Sequence, residues 1–241
     1  MKDQYFGDIN DYRKYGLLRC IIDASSLRIC VAWMLTADDV STDGKFTAYL
    51  NQPAKWSRHD GPLFESLQKL SEEGRRVSLI ESTTLLPHAV YYADQVPDAA
   101  AKRDVWFKTL TARAKKSELI FLDPDNGMAV KSTPYGSRKS SKFLYWHEVE
   151  SLWSAGKSLL IYQHFIREKR SDYIQRMMAS LRQASPDSLV EAFSTPHVVF
   201  LMALQPRHRS FHEPIIRTVQ ERWAGQIHHW DLVRSNRTSR S

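Results

Sequence analysis

Short apolar runs alternate along the chain with segments whose apolar residues recur at helical spacing. The apolar runs are rich in valine, isoleucine, leucine and aromatic residues and lack a regular polar alternation, which is typical of strands covered on both faces. They predict strands at Arg28–Thr36, Val77–Glu81, Glu118–Asp123, Ser158–Phe165, Leu189–Ser194 and His197–Gln205.

The segments between these runs have helical periodicity and clear end signals. One of them has Pro62 in its first turn and Gly74 just beyond its last residue, the usual asymmetry of helix termini. Helices are predicted at Asp8–Ala24, Gly61–Glu73, Asp98–Lys116, Tyr145–Ser154, Lys169–Ala184 and Glu213–Ala224.

This order of elements favours an α/β fold with a mostly parallel sheet flanked by helices. The last two predicted strands are separated only by Thr195 and Pro196, which leaves no room for a crossover helix, so we expect an antiparallel pair there. With no internal repeat and no long linker, residues 1–232 are interpreted as a single domain. Residues 233–241 are interpreted as a disordered basic tail.

The net charge of the chain indicates which class of partner it binds. Lysine and arginine outnumber aspartate and glutamate by 34 to 27, and the formal net charge is +7. Such a surplus favours a polyanionic partner, and RNA and DNA remain equally open. The nucleic-acid-binding candidates are Lys131, Arg138, Lys139, Lys142, Arg167 and Arg170.

Other classes receive no support from composition. No apolar run approaches the ~20 residues that a membrane helix needs, and the first residues lack the apolar core of a signal peptide. Cys20 and Cys30 lie in apolar surroundings without metal-ligand spacing, which predicts buried thiols in a reducing, cytoplasmic setting.

The candidate chemistry centres on the segment LIFLDPDNGM at residues 119–128. Ligands of open α/β sheets bind at the carboxyl ends of the strands, and Asp123 is predicted to be the last residue of a central strand. Pro124 has no N–H, so the carboxylate before it is a candidate catalytic group rather than a turn former. Asp125, Asn126 and Gly127 have the composition of a turn.

Two other predicted strand ends carry polar groups. Glu81 ends the second predicted strand. Tyr162 and His164 interrupt an otherwise apolar run and share one face by the period-two alternation of a strand, so both are candidate site residues beside Asp123.

The segment GDINDYRKYGLLRCII resembles the opening of the bacterial 23S rRNA adenine-N6 methyltransferases, which have a Gly-Asn-x-x-Asp-x-x-Lys pattern there. Gly7, Asp11 and Lys14 match the pattern, and Asp8 replaces its asparagine. LIFLDPDNGM occupies the place of the family's D-P-P-Y segment, and QHFIREKRSDYIQRMMASLR is similar to the helix that follows. Together with FLDPDNG, the opening also resembles an uncharacterised bacterial family.

The resemblance implies a Rossmann-like, methyltransferase-type fold that uses S-adenosylmethionine (SAM) to methylate the N6 amino group of adenine in nucleic acid. Under it, Asp123 accepts hydrogen bonds from the target amino group, and Tyr162 or His164 lines the base pocket. The implied cofactor-binding residues are Gly7, Asp11 and Lys14, with Glu81 as a further candidate.

Two departures keep other functions open. Methyltransferases of this fold have a glycine-rich turn after the first strand, where the backbone approaches the cofactor. In this chain, the stretch VAWMLTADDVSTDGKF at the end of the first predicted strand has no glycine until Gly44. Asp125 and Asn126 replace the second proline and the aromatic residue of D-P-P-Y.

The added acids favour an alternative, a metal-dependent nuclease or phosphodiesterase. Asp123 and Asp125 would hold Mg²⁺ or Mn²⁺, with His164 moving a proton and Lys131 or Lys142 touching phosphate. Three further acids, Asp38, Asp39 and Asp43, are predicted near the same strand ends. A non-catalytic protein that binds nucleic acid or a partner on a degenerate methyltransferase fold is the third hypothesis.

Overall fold

The computed structural model describes residues 1–38, residue 44 and residues 46–232. Asp39, Asp43 and the predicted tail at 233–241 lie outside these ranges. The described residues form a Rossmann-like α/β fold around a seven-stranded sheet with the order β2-β1-β3-β4-β6-β5-β7. The strands are β1 (Ile29–Ala32), β2 (Val90–Tyr92), β3 (Leu119–Leu122), β4 (Ser158–His164), β5 (Leu189–Ser194), β6 (Val198–Leu204) and β7 (His228–Asp231).

The strands β2, β1, β3 and β4 pair in parallel and form one half of the sheet. Both β1 and β3 are buried at every position, as their continuous apolar runs predict for strands covered on both faces. Because the four strands run in the same direction, their carboxyl ends lie along one edge.

The other half of the sheet is antiparallel: β6 pairs with β4 and β5, and β5 also pairs with β7. The expected hairpin between β5 and β6 is confirmed, and Thr195 closes it by donating its N–H to the Val198 carbonyl at 2.9 Å. The fold class predicted from the alternation of elements is therefore confirmed, including the antiparallel pair near the C-terminal end.

Helices cover both faces of the sheet. The core on one face contains residues of α1, α3 and α8, and the core on the other contains residues of α5, α6 and α7. The helices are α1 (Ile9–Ala24), α2 (Pro53–Trp56), α3 (Gly61–Glu72), α4 (Ser78–Glu81), α5 (Ala100–Arg113), α6 (Trp146–Ser154), α7 (Arg170–Ala184) and α8 (His212–Arg222).

Capping residues explain where the first long helices begin. The Asp8 side chain accepts hydrogen bonds from the N–H groups of Asn10 and Asp11 at the start of α1, and Asp60 does the same for Leu63 in α3. Carboxylates at these positions satisfy N–H groups that have no partner inside the helix.

The predicted strand at Val77–Glu81 is wrong, because this segment forms the short helix α4. Its apolar residues are too few to separate a strand from a helical turn. The edge strand of the parallel half is instead β2, whose first two residues are only half-buried. Neither β2 nor β7 was predicted, since β2 is an edge strand of three residues and β7 is a four-residue edge strand with one apolar residue, Trp230.

The two cysteines have the predicted environment. Cys20 and Cys30 are both buried free thiols, and burial raises the pKa of each to about 12. Among the described residues, no helix has the length and apolar character needed to cross a bilayer.

Candidate functional site

A cleft of about 470 Å³ lies at the carboxyl ends of β3 and β4, beside the start of α1. Its volume is in the range of small-molecule sites in proteins. Side chains from five parts of the chain line it: Met1, Tyr5, Asp8, Asn10, Asp11 and Lys14; Phe46; Asp123, Pro124, Asp125 and Asn126; Tyr162 and His164; and His197.

Lys14 links the two motif-bearing segments at the base of this cleft. Its Nζ donates to Asp11 Oδ1 at 2.7 Å and to Asp123 Oδ2 at 2.8 Å. All three residues are at most 2% exposed. The carboxylate predicted at the end of β3 therefore lines the cleft as an ion-paired group.

The buried network shifts the pKa values of its members. Burial raises the pKa of Asp11 to about 6, although the nearby Lys14 ammonium opposes the change. Burial alone would lower the pKa of Lys14, but the charges of Asp11 and Asp123 outweigh it and raise the pKa above its usual value. Lys14 therefore stays protonated throughout the neutral range.

Asp125 brings a second carboxylate to the cleft. Its Oδ2 lies 3.2 Å from Lys142 Nζ and 3.7 Å from Lys2 Nζ. Among the residues that the structure describes, its buried Oδ1 has no hydrogen-bond partner. A buried acceptor without a partner is costly, so this atom is positioned to accept a hydrogen bond from a ligand.

The turn after this carboxylate agrees with the sequence. Asn126 is exposed and donates its N–H to the Lys142 carbonyl at 2.8 Å. Gly127 has φ +83°, and a Cβ there would lie 2.4 Å from Gln163 Oε1. Gln163 in turn accepts from the Met128 N–H at 2.6 Å, so the turn is fastened to β4.

The wall from β4 is aromatic. Tyr162 and His164 share a face, as predicted, and their rings meet edge to face with centroids 5.1 Å apart. The Lys14 ammonium lies 5.1 Å from the Tyr162 ring centroid. Burial lowers the pKa of His164, against the opposing charges of Asp123 and Asp125, so the imidazole is neutral at neutral pH.

The predicted cofactor-binding residues separate into two groups. Gly7 adopts φ +78° and donates its N–H to Asp11 Oδ2 at 3.1 Å, so it supports the network without lining the cleft. Glu81 lies apart, on α4, and its Oε1 accepts from Trp33 Nε1 at 2.6 Å. Burial raises the pKa of Glu81. Glu81 does not line the cleft.

The segment after β1, where methyltransferases have their glycine-rich turn, carries Trp33 and Met34. Met34 is buried and has φ +47°, a conformation that is strained for a side chain of this size. Its carbonyl accepts from the Met1 amino group at 3.3 Å, and the Met1 carbonyl accepts from the Thr36 N–H at 2.9 Å. Met1 and residues 33–36 thus cover the end of β1, and the open space lies further along the edge, at β3 and β4.

Of the predicted nucleic-acid-binding residues, Lys142 reaches the site by its contact with Asp125. The others are surface residues that do not line the cleft: Lys131, Arg138, Lys139, Arg167 and Arg170. Asp98 holds the basic loop by accepting the N–H groups of Lys139 and Ser141 at 2.9 and 2.8 Å.

Sequence reasoning missed Phe46 and His197 at the cleft. Their rings are stacked, with centroids 6.1 Å apart and planes 6° from parallel, and Phe46 is 65% exposed. His197 immediately precedes β6, whose pairing with β4 brings it close to the site. An exposed aromatic residue in a loop carries no periodic signal, so only the tertiary structure reveals it.

The metal alternative meets a competing cation. The Asp123 carboxylate is bound to Lys14, and Asp125 to Lys142 and Lys2, so an ion would have to displace ammonium groups. Asp38 is exposed, accepts from the Gln4 N–H at 3.3 Å and does not line the cleft. Within the described part of the chain, Asp123 and Asp125 belong to no group of three residues with metal-ligating atoms in mutual reach.

Comparison with known proteins adds no family. No family model matches the chain, and no curated protein matches it either.

Proposed function

We propose that the protein is a SAM-dependent methyltransferase that acts on an amino group of a nucleic-acid base. The observation that carries the proposal is the meeting of the two segments of the resemblance at one cleft. Lys14, from the GDINDYRK segment, contacts Asp123, from the LDPDNG segment, at 2.8 Å across 109 positions of the chain.

The character of the cleft supports a ligand that donates hydrogen bonds. Four aspartates and one lysine are among its lining side chains, and the Oδ1 of Asp125 awaits a donor. SAM carries an ammonium group, ribose hydroxyls and an adenine amino group, and a target base presents a further amino group. A phosphate, in contrast, would be repelled by these carboxylates.

The aromatic side chains support a planar ligand. Tyr162 and His164 form one wall, and Phe46 and His197 lie at the same cleft. Purine rings pack favourably on such surfaces. The cleft volume suits one nucleoside-sized ligand, which would be the cofactor. The target base would approach from the side of Phe46, because that ring is exposed.

Because the turn after β1 is covered, we expect SAM to bind at a different place from the one it occupies in methyltransferases with a glycine-rich turn there. With Trp33, Met34 and Met1 packed over that strand, SAM would lie between the start of α1 and the ends of β3 and β4. The cofactor would supply the methyl group. The chain's carboxylates would accept the N–H bonds of the target amino group, orient its nitrogen lone pair and take up the proton released on methylation.

Basic residues on the surface fit a polyanionic substrate. Lys142 contacts Asp125, a residue of the cleft, and the remaining basic candidates are exposed. Phosphates would contact these residues while the carboxylates read a base, which separates positioning from chemistry.

Calorimetric titration with SAM and S-adenosylhomocysteine tests the cofactor assignment. We expect both ligands to bind, and Asp125→Asn to weaken binding about 10- to 100-fold, the range for loss of a hydrogen bond to a charged group. Asp172→Asn is the matched control, because that carboxylate is exposed. No binding of either ligand to the folded protein at millimolar concentration overturns the proposal.

Transfer of a labelled methyl group to RNA or DNA tests the reaction separately. Salt-sensitive nucleic-acid binding without cofactor binding would instead support the non-catalytic hypothesis.

A further inference from the structure

A second cluster of polar side chains lies in the antiparallel half of the sheet, and none of its members lines the cleft. Glu191 of β5 is 4% exposed. Its Oε1 lies 2.8 Å from His212 Nε2, and its Oε2 lies 2.6 Å from His229 Nε2. One buried carboxylate is therefore approached by two imidazole rings from different elements.

Strand pairing explains how these residues meet. Glu191 pairs with Asp231 and Phe193 pairs with His229 in the register of β5 and β7. Glu191 and His229 are therefore diagonal neighbours on one face. His212 is the first residue of α8 and completes the group from above that face.

The spacing suits a transition-metal ion. The three ligand atoms all lie within 4.8 Å of one another. At a tetrahedral zinc ion, nitrogen and oxygen ligands about 2.0–2.1 Å from the metal stand about 3.3 Å apart. At present His212 and His229 contact different oxygens of Glu191, at 2.8 and 2.6 Å. A zinc ion bound to one of these oxygens would require one ring to move away by about half an ångström and the other ring to turn toward the same oxygen.

An acidic neighbour is placed to orient one of the two rings. Glu213 Oε1 lies 3.4 Å from His212 Nδ1, the nitrogen that faces away from Glu191. Histidines that bind metals commonly donate the N–H of their other ring nitrogen to a carboxylate, so Glu213 is positioned to hold the His212 ring with Nε2 directed at an ion.

We propose that Glu191, His212 and His229 bind one Zn²⁺ ion, with water in the fourth position. Two imidazoles and a carboxylate are a common ligand set for this ion. The side chains of His212 and His229 are 18% and 10% exposed, which leaves a path for the ion to enter. The ion would tie the edge strand β7 and the start of α8 to β5.

The test uses full-length, tag-free protein stripped of metal and titrated with ZnCl₂. We expect one equivalent of zinc to bind and the thermal midpoint to rise, since an ion that binds only the folded state stabilises it. Zinc binding should weaken about 100-fold or more in His229→Gln, which is more than the loss of a residue that only orients a metal ligand would cause. His228→Gln, a change at the exposed neighbour on the same strand, should bind zinc as the wild type does.

Amide hydrogen exchange and Co²⁺ spectra give independent readouts. Zinc should slow exchange in β7, and Co²⁺ should give visible bands that are lost in His229→Gln. If His229→Gln does not fold, His212→Gln replaces it, because its ring lies at a helix terminus. Absence of zinc binding to the folded wild type, or equal binding by the wild type and the folded variant, overturns the proposal.

Discussion

The parallel and antiparallel halves of the sheet use buried charge in different ways. In the parallel half, the Lys14 ammonium is fixed between the carboxylates of Asp11 and Asp123 at the strand ends. In the antiparallel half, Glu191 lies within a strand between two imidazoles. The first cluster is held together by the Lys14 ammonium, and the second by two imidazole rings in contact with one carboxylate.

This difference indicates what each cluster offers a ligand. The Lys14 network leaves its cation fully engaged, so the binding capacity of the cleft resides in acceptors such as Asp125 Oδ1. Among the described residues, no lysine or arginine pairs with Glu191, and the cluster has three atoms suited to bind a cation. Burial of charge alone does not reveal function, and the unsatisfied bonding capacity has to be located atom by atom.

Lys14→Met should have the largest effect on stability. It leaves Asp11 and Asp123 buried without their cation, so we expect a loss of about 3–5 kcal/mol in the free energy of unfolding. In the other half, Glu191→Gln in metal-free protein should cost about 1 kcal/mol, because the amide keeps hydrogen-bond contacts with the two imidazoles and no charge has to be buried. Urea denaturation monitored by circular dichroism measures both.

Lys169→Met is the control for loss of a lysine, since its side chain is 77% exposed and pairs only at the surface with Asp172. Its cost should not exceed about 0.5 kcal/mol. Equal costs for Lys14→Met and Glu191→Gln would remove the contrast between the two clusters.

Gly127→Ala should have an intermediate effect on the parallel half. The residue has φ +83°, and the new methyl group would collide with the Gln163 side chain that fastens the turn. We expect a loss of about 1–3 kcal/mol by thermal denaturation. Gly61→Ala, where a Cβ meets no atom within 4 Å, should be close to neutral or stabilising.

His164→Gln should have the smallest effect, visible only as a change in pH dependence. Burial lowers the pKa of His164 below 6.5 in the folded state, so below that pH the unfolded chain binds more protons and stability falls. The variant should therefore lose less stability than the wild type as the pH falls from 7 to 5. Parallel pH profiles would contradict a half-buried imidazole that is neutral at neutral pH.

Much of the fold follows from the sequence because its strands are continuous apolar runs with breakers between them. Prediction from the sequence fails for the edge strands β2 and β7, which are short. It also fails for Val77–Glu81, which has too few residues to distinguish a strand from the helix α4. Tertiary packing decides such segments.

The site was predictable where the chain marks it chemically. Asp123, Tyr162 and His164 interrupt apolar strands, and the structure brings them to one cleft. The ion pair that Lys14 makes with Asp123 depends on contact between distant segments, which no local pattern encodes. Glu191 was not singled out because a single acid in a strand is ordinarily solvent-facing.

The bridge from Lys14 to Asp123 also bears on how the protein reaches its working form. These residues are 109 positions apart, and the segment between them includes β1, β2 and α5, so the cleft cannot assemble until those elements have docked. Contacts of such long range form slowly. In a refolding experiment, the protein should thus begin to bind ligand only when the native topology is complete. If the chain is cut between Lys14 and Asp123, neither fragment alone should bind ligand.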